Sequence, residues 1–446
     1  MLIALHTACA PSVPPAGLGA APSEEARARI VSLGTTHEGH AITRGHNRKL
    51  FRSGDWHYAV WIDALGRSGE VRPQYSASRD LSTWAPPRDL SEIRNGGASG
   101  IDFETVPETG AIFSLEAAYD AALDHSYQFV RAWTAHEGSL RPAGPPVSVG
   151  AAGAGKAPPG YGSMTRDDDG TLWIVERDEK GVAGHGANAI IVYTASGATT
   201  PVFSAAEELP FREVAKPRDG VTRACRVLAA SGWVVLVAYV EGPVDRPNQE
   251  AALYVSARGP GDDSWCVPAV LAAPGRIAVD QPRMAPDVRP SAWIEPSGRV
   301  WISWMPADAP GTVRVTRLDP PYREAHDETT ALEVPAGRRV LSAQIRLDTR
   351  FTPVRAYLIA IEGARGVKDA AAIRPTLLAA RFDGERWDSP TPLGVDCDGC
   401  LYLGMGEPVI ARDDDPLAAL TQRPKGAGAF EVLLIDATAL RWLAPR

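Results

Sequence analysis

The chain is 446 residues long, 44% hydrophobic and 22% charged, with a formal net charge of -8 and a pI near 5.7. That composition excludes a disordered protein and leaves room for several cores or one large repeat assembly. No run of five Lys or Arg supplies the footprint of a nucleic-acid binder, and no stretch of about 18 apolar residues exists to form a spanning helix.

The N-terminus reads MLIALHTACAPSVPPAGLGAAPSEE, a short apolar run ending in small residues and Cys9, then a Pro/Ala/Gly/Ser tract that cannot pack a core. It resembles the end of a bacterial lipoprotein signal with Cys9 as the acylated residue, although His6 stands where that signal usually has Leu. The resemblance implies export and a lipid anchor, with the basic n-region lying upstream of this start. A disordered leader is the plainer alternative. Residues 1–26 are read as leader and flexible linker, and 27–446 as a single domain expected to be a monomer.

Beyond Cys9 the cysteines are Cys225, Cys266, Cys397 and Cys400, an even number that permits two disulfides in an exported chain. Asp396-Cys-Asp-Gly-Cys400 lacks the second ligand pair a zinc site needs, so a local disulfide or two thiols are expected there.

From residue 50 onward a Gly turn followed by an apolar and aromatic run keeps recurring. It appears as SGDWHYAVWID around Gly54, TGAIFSLEAA around Gly110, DGTLWIVERD around Gly170, SGWVVLVAYVE around Gly232 and SGRVWISWMP around Gly298, at spacings of 56, 60, 62 and 66. Each run is rich in Val, Ile, Trp, Phe and Tyr and is bounded by turn residues, which is a strand signature. A period near 60 built from short strands marks a β-propeller. Two more units lack the Gly: FTPVRAYLIAIE at 351–362, and EPVIARDDDPLAALTQ at 407–422 followed by GAFEVLLIDA. The count predicts an all-β, seven-bladed propeller; six blades, the runner-up, leave one unit unexplained. The last unit has three clear strands, and the strand-like run ARARIVSLG at 26–34 is expected to pair with it, closing the ring and removing its exposed edges.

A second phrase, Trp-x-x-Pro-x-x-Leu, occurs at Trp84, Trp265 and Trp387, preceded by YSASRDLSTW, YVSARGPGDDSW and LLAARFDGERW. These stretches resemble degenerate Asp-boxes, the bacterial neuraminidase repeat that turns the third strand of a blade into the fourth. Asp and Ser side chains bond backbone N–H groups in such turns, and the Trp is expected to wedge between blades. The resemblance is to the sialidase-like propeller superfamily, including seven-bladed propellers of the polysaccharide-lyase type, and it spans the chain from about Arg27. It implies a carbohydrate-directed role without choosing a reaction.

Propeller topology puts the Gly turns on one face, and the starts of the innermost strands on the other, around a central funnel. Counting eight or nine residues back from each Gly turn reaches His46, Asp102, Tyr161, Arg223 and Arg289; looser alignment adds Arg346 (or Gln344) and Glu407. Such a funnel suits an anionic sugar, because guanidinium forks bind carboxylates bidentately. In a purely structural reading the Arg and Asp pair with one another in a water-filled channel. His37, His40 and His46 lack a fourth ligand, so no metal and no cofactor is expected.

Three functions follow from the same residues. A sialidase-type hydrolase would hold a carboxylate with Arg223, Arg289 and Arg346, attack with Tyr161 and protonate with Asp102, but the Arg-Ile-Pro mark of sialidases is replaced by HNRKL. A uronate lyase would use His46 as base, Tyr161 as acid and Arg223 or Arg289 to neutralise the carboxylate. A non-catalytic surface propeller would display the funnel to a glycan, small-molecule or protein ligand.

Overall fold

The computed structural model describes residues 28–38, 42, 48–64, 71–91, 101–106, 109–120, 125–149, 162–178, 189–197, 201–205, 207–211, 221–241, 251–278, 289–323, 327–365, 374–400, 402–404 and 409–442, with the backbone alone for 117–120, 125–127, 177–178, 221–225, 241 and 441–442. Among the described residues seven sheets follow one another around a ring, antiparallel except where Val409–Ile410 runs parallel to Arg338–Asp348, so the seven-bladed propeller holds. Blade one runs outward as Leu50–Ser53, Trp56–Ala64, Val71–Ser78 and Arg88–Asp89. Its second strand is apolar without alternation because both of its faces are covered: Tyr58, Ala59, Val60 and Trp61 are all 0% exposed. The five turn glycines take φ between +58° and +90°, the left-handed region where a Cβ is disfavoured.

Neighbouring blades share cores. Phe51, Tyr58 and Val60 of blade one pack with Ile101, Phe103 and Ile112 of blade two, and the rings of Phe51 and Phe103 stack at 4.6 Å. The three repeated tryptophans sit at such seams. Trp265 meets Trp173 of blade three edge-on at 6.1 Å, Trp387 donates Nε1 to Thr329 of blade five, and Trp84 packs with Leu33 and Trp61. In the turn before Trp84, Asp80 accepts the backbone N–H of Ser82 and Thr83, bonds that hold its carboxyl well below the usual carboxylate range.

The ring closes where the two ends of the chain meet. Ala418–Gly426 and Ala429–Asp436 come from the C-terminal part, and Arg29–Thr36 adds the outermost strand antiparallel to Ala429–Asp436. On the opposite, inner edge Gly404 bridges Leu420. Arg29 fixes the added strand through Asp436, Nη2 to Oδ2 at 2.5 Å. The acidic turn before Ala418 grips both neighbouring blades: Asp413 pairs with Arg350 of blade six, while Asp414 at 2.7 Å and Asp415 at 3.2 Å pair with Arg52 of blade one. Cys397 and Cys400 form a disulfide in the core between blades six and seven, and Cys266 is a free thiol.

Candidate functional site

The inner strands of blades one to four meet in a buried network centred on Asp102. Its side chain is 0% exposed. Oδ1 accepts the backbone N–H of Arg48 at 2.7 Å and of Phe103 at 3.0 Å; Oδ2 accepts the N–H of Met164 at 2.9 Å and Nη1 of Arg226 at 2.7 Å. Those four donors occupy the roughly four lone-pair sites of a carboxylate. Glu104, two residues further along the same strand face, takes the Arg48 guanidinium with both oxygens. Arg48 and Arg226 also reach the Met164 carbonyl, at 3.4 and 3.3 Å. Arg226 lies over the Trp293 ring at 5.0 Å. Burial pulls the Arg226 guanidinium below its ordinary value and Asp102 opposes that pull. Two arginines pair with two carboxylates in the network, and one partner removed would strand a buried charge, typically a loss of about 3–5 kcal/mol.

Its height in the channel follows from strand register. Lys49, Asp102, Arg226 and Gln344 each lie opposite the fifth residue of the second strand of their blade, namely Val60, Leu115, Val237 and Ile359. The network is therefore a floor beneath the funnel mouth. Arg223 pairs with Tyr239, nearer the mouth, with a bulge between Ala224 and Arg226. Arg289 precedes the inner strand Ser291–Ile294 of blade five and is half-buried on the mouth side. Glu116 faces Ile101 across the strand pair; burial pushes its carboxyl up, while the Ser114 hydroxyl donates to it at 2.6 Å.

Two residues singled out in the sequence are engaged by the scaffold. Asp102 has no exposed oxygen to act as an acid, since all its acceptor capacity serves the inner strands. Arg346 lies opposite Tyr357, two residues below the level of Asp102, and its guanidinium donates to the carbonyls of Ala418 at 2.7 Å and Pro416 at 3.2 Å instead of lining the mouth. Gln344, the alternative reached by the same alignment, holds the matching level. His46, Tyr161 and Glu407 lie outside the described residues, as does the side chain of Arg223. Arg48, Glu104 and Arg226 were missed. The signal for Glu104 was available, because a strand repeats its facing every second residue from Asp102. Arg226 was hidden by the bulge.

Among the described residues no group of three His, Cys, Asp or Glu side chains is placed to hold a metal ion. A cavity of about 300 Å³ opens on the opposite, Gly-turn face, lined by Arg52, Gly54, Thr105, Gly110, Ala411 and Asp415 among others. Of its two arginines, Arg52 and Arg412, the first is already engaged by Asp414 and Asp415.

No protein-family model matches the sequence, and no curated protein matches it. Among solved structures the chain is similar to an ulvan lyase of polysaccharide lyase family PL25, with a TM-score of 0.54 and 12% identity over 92% of this chain and 96% of that chain. The same lyase bound to -[GlcA(1-4)Rha3S]- gives a TM-score of 0.54 and 11% identity over the same shares, 92% and 96%. The polysaccharide lyase Uly1 follows at a TM-score of 0.47 and 10% identity, over 90% of this chain and 91% of that chain. Sialidases also match, at lower similarity. The chain thus shares the propeller fold of the ulvan lyase.

Proposed function

We propose that the protein is a carbohydrate-directed propeller that takes an anionic glycan into its funnel and cleaves it by elimination beside a uronate. The observation that carries this reading is the commitment of Asp102 and Arg346 to the scaffold. A sialidase-type hydrolase needs the first as acid and the second in its carboxylate cluster; elimination needs neither. It needs a base for the C5 proton, an acid for the leaving oxygen and a cation on the uronate, roles suited to His46, Tyr161 and the pair Arg223 and Arg289. In this reading the attraction for an anion is assigned to those rim arginines.

Similarity to a lyase seen with a glucuronate and sulfated rhamnose disaccharide supports the choice of an acidic polysaccharide. Export, with Cys9 as a lipid anchor, belongs to the same proposal and agrees with a disulfide at Cys397–Cys400, since such bonds persist in oxidising compartments. The pairing of Arg226 with Asp102 favours a second reading, in which the funnel binds the glycan without cutting it.

Calorimetry separates both readings from a glycan-independent scaffold. Residues 27–446 are titrated with uronate-containing oligosaccharides and with neutral ones of equal length. Binding confined to the acidic series and weakened by salt supports a charged funnel; equal binding of both series, or of neither, rejects it.

A further inference from the structure

We infer that Asp102 is a positioning residue, whose carboxylate sets the spacing of the inner strands of blades one to four at the funnel mouth. Its two oxygens hold backbone N–H groups of three blades, through Arg48, Phe103 and Met164, and the guanidinium of a fourth through Arg226. These backbone contacts bind blade one to blade three across blade two. Met164 is held at both its N–H and its carbonyl, the latter by Arg48 and Arg226.

The positions so fixed come two or three residues after the proposed reacting residues in the sequence. Arg48 comes two residues after His46, Met164 three after Tyr161 and Arg226 three after Arg223. Resting on the proposed lyase chemistry, this makes Asp102 the part that holds base, acid and carboxylate-binding cation in one arrangement without touching substrate. A misplacement of about 1 Å between such groups costs on the order of 100-fold in rate.

Asp102→Asn is the informative change. One carboxylate oxygen becomes an NH2 donor, which must face a backbone N–H or the Arg226 guanidinium. Against a substrate the wild type cleaves, kcat is expected to fall on the order of 100-fold with KM nearly unchanged, and both limbs of the pH profile are expected to persist. Loss of a limb would make Asp102 the acid and overturn the inference. Arg226→Lys keeps the charge with a single donor head and is expected to fall between the two; it carries the test if Asp102→Asn does not fold.

Hydrogen exchange provides a readout independent of catalysis. In Asp102→Asn, peptides covering the inner strands of blades one, three and four should lose protection together, while blades five to seven keep theirs. A change confined to blade two overturns the inference. If the wild type cleaves no acidic polysaccharide but the exchange pattern appears, the lyase reading fails and the spacing role of Asp102 stands.

Discussion

Arg346 of blade six donates Nη1 to the carbonyl of Ala418 in blade seven at 2.7 Å. With the Pro416 carbonyl at 3.2 Å, it satisfies one acceptor at the start of Ala418–Gly426, the strand that Gly404 also bridges, and one just before it. The side chain is 1% exposed, so water cannot replace it. Arg346→Met should destabilise the protein by about 2–4 kcal/mol, measured by urea denaturation, because two buried carbonyls lose charge-assisted bonds. Affinity for a glycan should stay as in the wild type; a large loss of binding with stability intact would return Arg346 to the funnel.

The two aspartates that hold Arg52 are unequal. Asp414 is 66% exposed, whereas Asp415 is 9% exposed and also accepts the N–H groups of Ala411 and Arg412 at 2.9 and 2.8 Å. An exposed ion pair contributes about 0–1 kcal/mol. Asp414→Ala should therefore change the unfolding midpoint little, and Asp415→Ala should cost about 2 kcal/mol or more, since it strands two turn amides. Equal effects would refute this ranking.

His57 confers a pH dependence. It is buried in blade one, and burial, aided by the neighbouring Arg52 charge, lowers its pKa from 6.5 to about 4. Between those values the unfolded chain binds more protons than the folded one, so stability falls as pH drops from 6.5 towards 4. The loss attributable to this one side chain approaches about 3 kcal/mol. Denaturation midpoints of the wild type and His57→Gln, compared at neutral and mildly acidic pH, should converge as the pH falls.

The Cys397–Cys400 bridge spans a sequence separation of only 3. So short a loop restricts the unfolded chain by about 2 kcal/mol. The double variant Cys397→Ala and Cys400→Ala should lose about that much, and a reductant should lower the wild-type midpoint to the same level. A wild type indifferent to reduction would contradict the bridge.

The architecture was legible from sequence because it repeats: the glycines at 54, 110, 170, 232 and 298 each mark a hairpin, and seven units became seven sheets. The N-terminal run was legible as a closing strand because the last unit was one strand short. Residue levels within strands were less so. In blade six the turn between Arg338–Asp348 and Arg355–Ala364 has no glycine to count from, and the count slid from Gln344 to Arg346. In blade four the bulge between Ala224 and Arg226 shifts the facing, so counting back from Gly232 did not lead to the arginine that reaches Asp102. The role of Asp102 was beyond reach, since its partners Arg48, Met164 and Arg226 lie 54, 62 and 124 residues away.

The most direct measurement is product analysis of uronic-acid polysaccharides and sialylated glycans incubated with residues 27–446, following new reducing ends together with the ultraviolet absorbance of unsaturated uronates. Elimination in the funnel predicts both signals from an acidic polysaccharide, with both abolished in His46→Ala and Tyr161→Phe. Saturated sugar released without the absorbance, or no product from any acidic glycan, would contradict it.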